Sequence, residues 1–408
     1  MSGGKPRLRR RNEERPKIRL FMKNRLQNRE TVQEGKVRTQ MQAEEQKNRT
    51  PLELAIQSVE TMMRQYAAAD LPPKGRFHYH QGVFLSGVLN TWQLCGDDRY
   101  FDYAKAWIDS VVTEDGQIPN HDPGQLDDIQ PGILLYPILD ATGEKRYRKA
   151  LDVLAGDLEK YPKNPIGGFW HKSNLPDQMW LDGLYMGGPV MAEYGYRFDR
   201  PDFCAEAAKQ VRLMFANTRD EKTGLLYHAW DYSRKAPWAD PVTGLSPEFW
   251  GRSIGWVPVA VLDDLAFLQE TENTDDLKKL TADLLRAVVK YQSEDGRWYQ
   301  VVDKGGQPGN WLENSCSCLF VSALYKAVRM GILPAEYADC ARRGYEGVVR
   351  SLEYDGDRLL VGHVCIGTGV GDYRHYCERP VSTNDLHGVG AFLLMCAEAE
   401  RYRRERNA

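Results

Sequence analysis

The chain has 408 residues, 42% hydrophobic and 27% charged, which is enough for a packed core and excludes a wholly disordered or fibrous protein. No apolar run approaches the roughly 18 residues of a membrane span, and the basic N-terminus lacks the apolar centre of a secretion signal. Eight cysteines at this length are too sparse for a disulfide scaffold, and Cys316 and Cys318 lack zinc-ligand spacing.

The net charge of −3 conceals a division of the chain. Residues 1–50 carry 15 Lys/Arg against 6 Glu, a balance of +9, which leaves −12 on the rest. Their sequence, from KPRLRRRNEERPKIRLF onward, has almost no aromatic residue and little apolar periodicity, and reads as a solvated, flexible basic extension. Basic arms can bind nucleic acid or acidic lipid. The acidic remainder offers no basic surface to extend such a site, so neither partner is expected and the arm has no assigned chemistry. Residues 51–408 read as one domain.

From Leu52 the same pattern recurs: an amphipathic run of about 15 residues, a turn, and a second run. The first pair is LELAIQSVETMMRQYA with YHQGVFLSGVLNTWQLCG, followed by YFDYAKAWIDSVV with LDDIQPGILLYPILDATG. Then come KRYRKALDVLAGDLEKY with QMWLDGLYMGGPVMAEYG and FCAEAAKQVRLMFANT with FWGRSIGWVPVAVLDDLAFLQ. The last two join DDLKKLTADLLRAVVKYQ to ENSCSCLFVSALYKAVRMG and AEYADCARRGYEGVVRSLE to DLHGVGAFLLMCAEAERYR. First members carry charge on one face, whereas second members are Gly, Ala, aliphatic and aromatic throughout, so the first set faces solvent and the second lies inside. Six helical hairpins closed into a ring are expected. Two helical domains or an open solenoid are the alternatives, and the absence of capping repeats favours closure.

The connections at 158–178, 218–246, 292–312 and 353–385 are long, rich in Gly, Pro, Trp, His and Asp, and mostly lead from an outer helix to an inner one. They place the binding site at that rim. Trp170, Trp180, Trp230, Trp238, Trp250, Trp256, Trp298 and Trp311 fall there, and together suggest an aromatic groove for stacking sugar rings. Asp127 and Asp128 open the run LDDIQPG, and Asp182 opens WLDGLYM. A helix-start Asp is commonly a cap, but the apolar neighbours of Asp182 are expected to raise its pKa, and two carboxyls in unequal surroundings can divide acid and charge-stabilising roles. His171, Lys172, His228, Arg252, Arg379, Asn384, Asp385 and His387 are the other polar candidates. Arg252 and Lys172 can pair with a substrate carboxylate, or Arg252 with a protein carboxylate. The segment GTGVGDY, 367–373, lacks the preceding strand and following Lys-Ser/Thr of a phosphate loop.

The segments YHQGVFLSG, LDDIQPG, MWLDGLYM, HAWD, SPEFWGRSIGW, GTGVGDY and RPVSTNDLHGVGAF resemble those of the unsaturated rhamnogalacturonyl hydrolases, glycoside hydrolase family 105, which are related to the unsaturated glucuronyl hydrolases of family 88. The resemblance spans about residues 50–402. It implies an all-α (α/α)6 barrel and a substrate bearing a non-reducing-end uronic acid with a C4–C5 double bond, a small acidic oligosaccharide released by a polysaccharide lyase. In this family the vinyl ether is hydrated, and the hemiketal opens and rearranges to expel the remaining sugar. By the same resemblance Asp182 is the acid and then base, expected to be protonated at the outset. Asp127 is the second active-site carboxylate. Tyr79, His171, Lys172, Trp180, Met186, His228, Trp250, Arg252, Trp256, Arg379 and His387 match or adjoin the substrate pocket. The SCSC stretch at 315–318 implies close helix packing. The substrate expected is a rhamnogalacturonan fragment. Another unsaturated uronide of glucuronyl type, or a conventional inverting glycosidase on the same ring, are the alternatives. No cofactor is expected, no metal cluster is apparent in the spacing, and the location expected is cytoplasmic. Monomer and homo-oligomer are not distinguished.

Overall fold

A computed structural model describes Met1, Gly3 and residues 49–268 and 272–407, so the expectations for the basic extension lie almost entirely outside the described residues. Thirteen α-helices are present among them: α1 (Pro51–Gln65), α2 (Tyr79–Cys95), α3 (Asp98–Val111), α4 (Leu135–Thr142), α5 (Lys145–Glu159), α6 (Asp182–Arg197), α7 (Pro201–Thr218), α8 (Gly251–Leu268), α9 (Asp275–Val288), α10 (Asn314–Arg329), α11 (Tyr337–Arg350), α12 (Tyr373–Cys377) and α13 (Leu386–Asn407). Among these residues no helix is long and apolar enough to cross a membrane.

Outer helices bury one stripe and inner helices bury most of their circumference. In α9, Leu277, Thr281, Leu284, Leu285 and Val288 are buried at helical spacing, whereas Asp275, Asp276 and Lys279 are exposed. In α10 every residue from Asn314 to Tyr325 is buried. The inner set closes on itself: α2 packs on the turn at 130–134, that turn on α6, α6 on α8, α8 on α10, α10 on α13, and α13 back on α2. This is the ring of hairpins expected from the alternating runs. Small residues allow the close approaches. A Cβ on Gly390 of α13 would lie 2.6 Å from the backbone of Val83 in α2, and one on Gly251 would lie 2.9 Å from Cys316 Sγ, consistent with tight packing at the SCSC stretch.

Turns from inner to outer helices are short. α2 and α4 end at Gly96 and Gly143, whose φ values of 74° and 67° suit glycine, and each donates its N–H to a carbonyl of the last turn. The second inner run departs from the helix expected over LDDIQPGILLYPI. Residues 126–128 and 130–134 form 3₁₀ turns before α4 begins, because Pro131 has no N–H for a helical bond and disfavours helical geometry before it. Asp127 and Asp128 consequently sit on a tight turn at the rim.

The long connections contain short antiparallel strands that helical periodicity did not announce: β1 (Gln178–Trp180) with β2 (Ala229–Asp231), β3 (Trp298–Tyr299) with β4 (Leu312–Glu313), β5 (Glu353–Asp355) with β6 (Arg358–Leu360), and β7 (Val364–Cys365) with β8 (Val381–Ser382). They fix the loops at one end of the ring.

Candidate active site

The β1–β2 register sets the first half of the site. Trp180 pairs with Ala229, the next N–H, of Leu181, donates to His228 O at 2.9 Å, and α6 then begins at Asp182. His228 Nε2 thereby lies 3.0 Å from Asp182 Oδ2, and its Nδ1 lies 2.7 Å from the Tyr376 hydroxyl. Gly371 N–H donates to that same hydroxyl oxygen at 3.1 Å. His228 therefore donates Nε2–H to the carboxylate, while its Nδ1 shares a hydrogen bond with the Tyr376 hydroxyl whose direction is set by the charge of the imidazole. His228 and Tyr376 are fully buried. Burial opposes ionisation of Asp182. The hydrogen bond and charge of His228, with His171 and Arg252, more than offset it and hold the carboxyl below its usual range. This corrects the expectation that apolar neighbours would keep Asp182 protonated in the free protein: the polar groups that decide its state come from distant loops.

A second carboxylate is held separately. The bridge between Gln125 and Lys172 brings the 3₁₀ turn beside the 158–178 connection. Asp127 Oδ2 pairs with Lys172 Nζ at 2.8 Å, and Oδ1 lies 3.6 Å from His171 Nε2. Burial again opposes ionisation, and His171, Lys172 and His78 outweigh it. Burial also lowers the pKa of His171. Asp128 faces another way, accepting from Arg76 at 3.1 Å, contacting His78 at 2.6 Å, and receiving the N–H of Asp122 at 2.8 Å. It ties the turn to the segment before α2, a structural role.

Trp180 links the two carboxylates. Its ring stacks on His171 at 4.4 Å and meets His228 edge-on at 5.5 Å. Trp250 lies 4.7 Å from His228, stacks on Tyr376 at 5.6 Å, and donates Nε1–H to Gln300. Tyr79, the first residue of α2, places its hydroxyl 2.8 Å from His80 Nε2, and burial raises its pKa well above the usual value.

The cations are already engaged. Arg252 donates to Cys365 O at 2.6 Å, Ile366 O at 2.8 Å and Ser315 Oγ at 3.3 Å, with Glu313 at 3.9 Å and the Trp250 ring beneath it at 4.5 Å. Arg379 donates to Gly367 O and to Thr368 Oγ1. Lys172 is spent on Asp127. In the ligand-free chain Arg252 thus shapes the rim loops and Lys172 holds Asp127.

Met186 and Trp256 belong to the hydrophobic core, the latter stacked on Tyr185 at 4.5 Å, so they support the site from beneath. Trp250 and Trp298 are also fully buried, which reduces the expected groove to the partly exposed Trp170, Trp180, Trp230, Trp238 and Trp311. Sequence reasoning missed Tyr376, whose one signal is its place in the last long connection. It also saw no metal-ligand cluster, whereas the fold gathers His80, Asp385 and His387 with ligand atoms within 4.8 Å of one another.

The geometry has counterparts among known proteins. The family model described as Glycosyl Hydrolase Family 88 matches residues 55–403. A glycoside hydrolase of family 105 from Clostridium acetobutylicum ATCC 824 superposes with a TM-score of 0.81 at 32% identity, covering 86% of this chain and 99% of that one. Protein Atu3128 of Agrobacterium fabrum is 35% identical over 229 residues, 52% of this chain and 98% of its own length. The unsaturated rhamnogalacturonyl hydrolase YesR of Bacillus subtilis is 27% identical over 325 residues, 78% of this chain and 88% of YesR. Closed helical ring, paired carboxylates and family match agree: the chain is a glycoside hydrolase and belongs to the Glycosyl Hydrolase Family 88 group, which its likeness extends to family 105.

Proposed function

We propose that this enzyme removes a non-reducing-end 4,5-unsaturated galacturonyl residue from rhamnogalacturonan fragments made by a lyase. The observation that carries the reading is the buried Tyr376–His228–Asp182 chain, set one aromatic ring away from the Lys172-neutralised Asp127. The 27% identity to YesR supports the choice of uronide.

In the proposed reaction the Asp182 carboxyl gives its proton to C4, and water adds at C5 while giving a proton back to Asp182. The C5 hemiketal opens by cleavage of its bond to the ring oxygen, leaving a hemiacetal at C1 that expels the neighbouring sugar as an alcohol. The balance is one water consumed and one glycosidic bond broken. Asp182 starts ionised, so substrate must help protonate it. The uronate carboxylate brings a further negative charge into a desolvated site beside Asp127 and Asp182, which raises the Asp182 pKa on binding. Trp180 and the Tyr79 hydroxyl contribute a ring face and a polar contact to the sugar.

The substrate is a small acidic oligosaccharide, and the compartment is cytoplasmic, in keeping with eight cysteines none of which forms a disulfide. The deciding experiment is a panel of lyase-generated disaccharides differing in uronate configuration and neighbouring sugar, followed by loss of the ultraviolet absorbance of the C4–C5 double bond. Fastest loss is expected with galacturonyl-rhamnose. Preference for a glucuronyl substrate would move the specificity, and cleavage of saturated glycosides with the absorbance intact would replace the chemistry with conventional inversion.

A further inference from the structure

We propose that a groove beside the active site, walled by Lys74, Arg76, Asn120 and Gln125, holds a second uronate of a longer substrate, the one on the third sugar from the unsaturated end. This deepens the function proposed above and rests on it. The groove has a volume of about 490 Å³, within the roughly 300–1,000 Å³ of small-molecule sites.

Both walls run directly into the active site. One belongs to the segment before α2, where Arg76 lies three residues ahead of Tyr79, at most about 11 Å along a fully extended chain. The other belongs to the connection after α3, where Gln125 lies two residues ahead of Asp127 and bridges to Lys172, the ion-pair partner of Asp127. A sugar chain that leaves the site on this side enters the groove.

The charge presented there is positive, a local exception on a chain whose body is acidic. The Arg76 side chain is 46% exposed, and its bond to Asp128 at 3.1 Å engages one edge of a guanidinium that carries five donors. Lys74 pairs with Asp70 at 2.6 Å, but both are exposed, so an incoming carboxylate competes for the ammonium on nearly equal terms. Gly75 stands between the two cations with φ 71°, and a Cβ there would meet nothing within 4 Å, which leaves the approach to both open. The neighbouring carboxylates are covered or committed. Asp128 is fully buried, Asp122 accepts from Gly124 N–H at 2.9 Å and from the Gln125 amide at 2.6 Å, and Asp157 holds His121 Nε2 at 2.7 Å. His121 lines the groove with its Nδ1 also engaged, 2.6 Å from the Ile118 carbonyl.

A rhamnogalacturonan backbone alternates uronate and rhamnose. A fragment longer than a disaccharide therefore carries its next carboxylate two sugars beyond the unsaturated residue, and an arginine fork beside a lysine is the side-chain chemistry that recognises it. The groove would then make the enzyme prefer longer fragments.

The test is kcat/KM of the full-length protein, by absorbance loss, on three substrates. These are the lyase-generated disaccharide, the corresponding tetrasaccharide, and a synthetic tetrasaccharide methyl-esterified at the internal uronate alone. The native tetrasaccharide-to-disaccharide ratio should be about five, and both esterification and Arg76→Gln should bring it toward one. Because the readout is a ratio on one preparation, a general loss of activity in the variant cancels, and the esterified substrate tests the contact with no substitution at all. A native ratio of one, or a ratio unmoved by Arg76→Gln, overturns the subsite while turnover of the disaccharide leaves the proposed function standing. A ratio that survives esterification overturns the choice of an acidic sugar. Turnover of neither fragment overturns the function and the subsite with it.

Discussion

Replacing Asp182 by Asn separates what this side chain does for the fold from what it does for chemistry. Asn has the same shape, and its amide oxygen can still accept the Nε2–H of His228, which approaches the native carboxylate at 3.0 Å. The substitution exchanges a charge-assisted bond of about 1.5–3 kcal/mol for a neutral one of about 0.5–1.5 kcal/mol. It also removes the cost of burying an anion at a residue only 9% exposed. These effects oppose each other, so stability measured by denaturant should change by no more than about 1 kcal/mol. Catalysis has no such compensation, because an amide neither delivers a proton to C4 nor accepts one from water. General acid–base catalysis is worth about 10²–10⁴-fold, equivalent to roughly 3–5 kcal/mol of barrier. The assay is the initial rate of absorbance loss on the preferred unsaturated disaccharide, with a denaturant melt on the same preparation. Turnover within about ten-fold of native would refute the role of Asp182, and a stability loss matching the activity loss would show that the residue was structural.

Three further outcomes follow from the same geometry. Because the free-enzyme Asp182 carboxyl is held below its usual range, its protonated fraction shrinks across the neutral range, and kcat/KM should fall with rising pH. Its contribution to stability has the opposite sense, present above the unfolded value near 3.9 and lost as pH falls through the folded one. Tyr376→Phe removes the hydroxyl hydrogen-bonded to His228 Nδ1 and loosens the imidazole that holds Asp182 ionised, so Asp182 binds its proton more readily and the kcat/KM limb should move to higher pH. Leaving buried Nδ1 unpartnered should also cost about 1–3 kcal/mol in a denaturant melt, and an unmoved limb would dissociate Tyr376 from Asp182. Gly390→Ala forces a methyl to within 2.6 Å of the Val83 backbone, where no side-chain rotation relieves it. Overpacking of this kind costs typically about 1–3 kcal/mol, so an unchanged melting curve would contradict the close approach of α2 and α13.

The ring could be read from the alternation of DDLKKLTADLLRAVVKYQ-like and CLFVSALYKAV-like runs, because burial on one face and burial all round leave different hydrophobic patterns. Asp127 and Asp182 stood out for a related reason, being acids at the mouths of apolar runs. What could not be read depends on pairings remote in sequence. His228 meets Tyr376 across 148 positions, and Arg252 spends its donors on carbonyls more than 110 positions away. Neither contact leaves a local pattern. The protonation of Asp182 was misjudged because sequence neighbours were taken as its surroundings, while β1–β2 pairing brings it a histidine. The rim strands escaped notice because two or three residues are too few to establish a period of two.

Closure of the ring by its final helix also has a kinetic meaning during synthesis. The inner face of α2 is made early, yet its partner α13 is the last of the described helices to be made. At about 5–20 residues per second, the roughly 300 residues between Tyr79 and His387 take some 15–60 s to emerge. Throughout that interval the nascent chain must carry an apolar surface with no native cover, and a chain cut short before Leu386 would never acquire one. Newly made enzyme should therefore depend on chaperones until the 22 residues of α13 are complete.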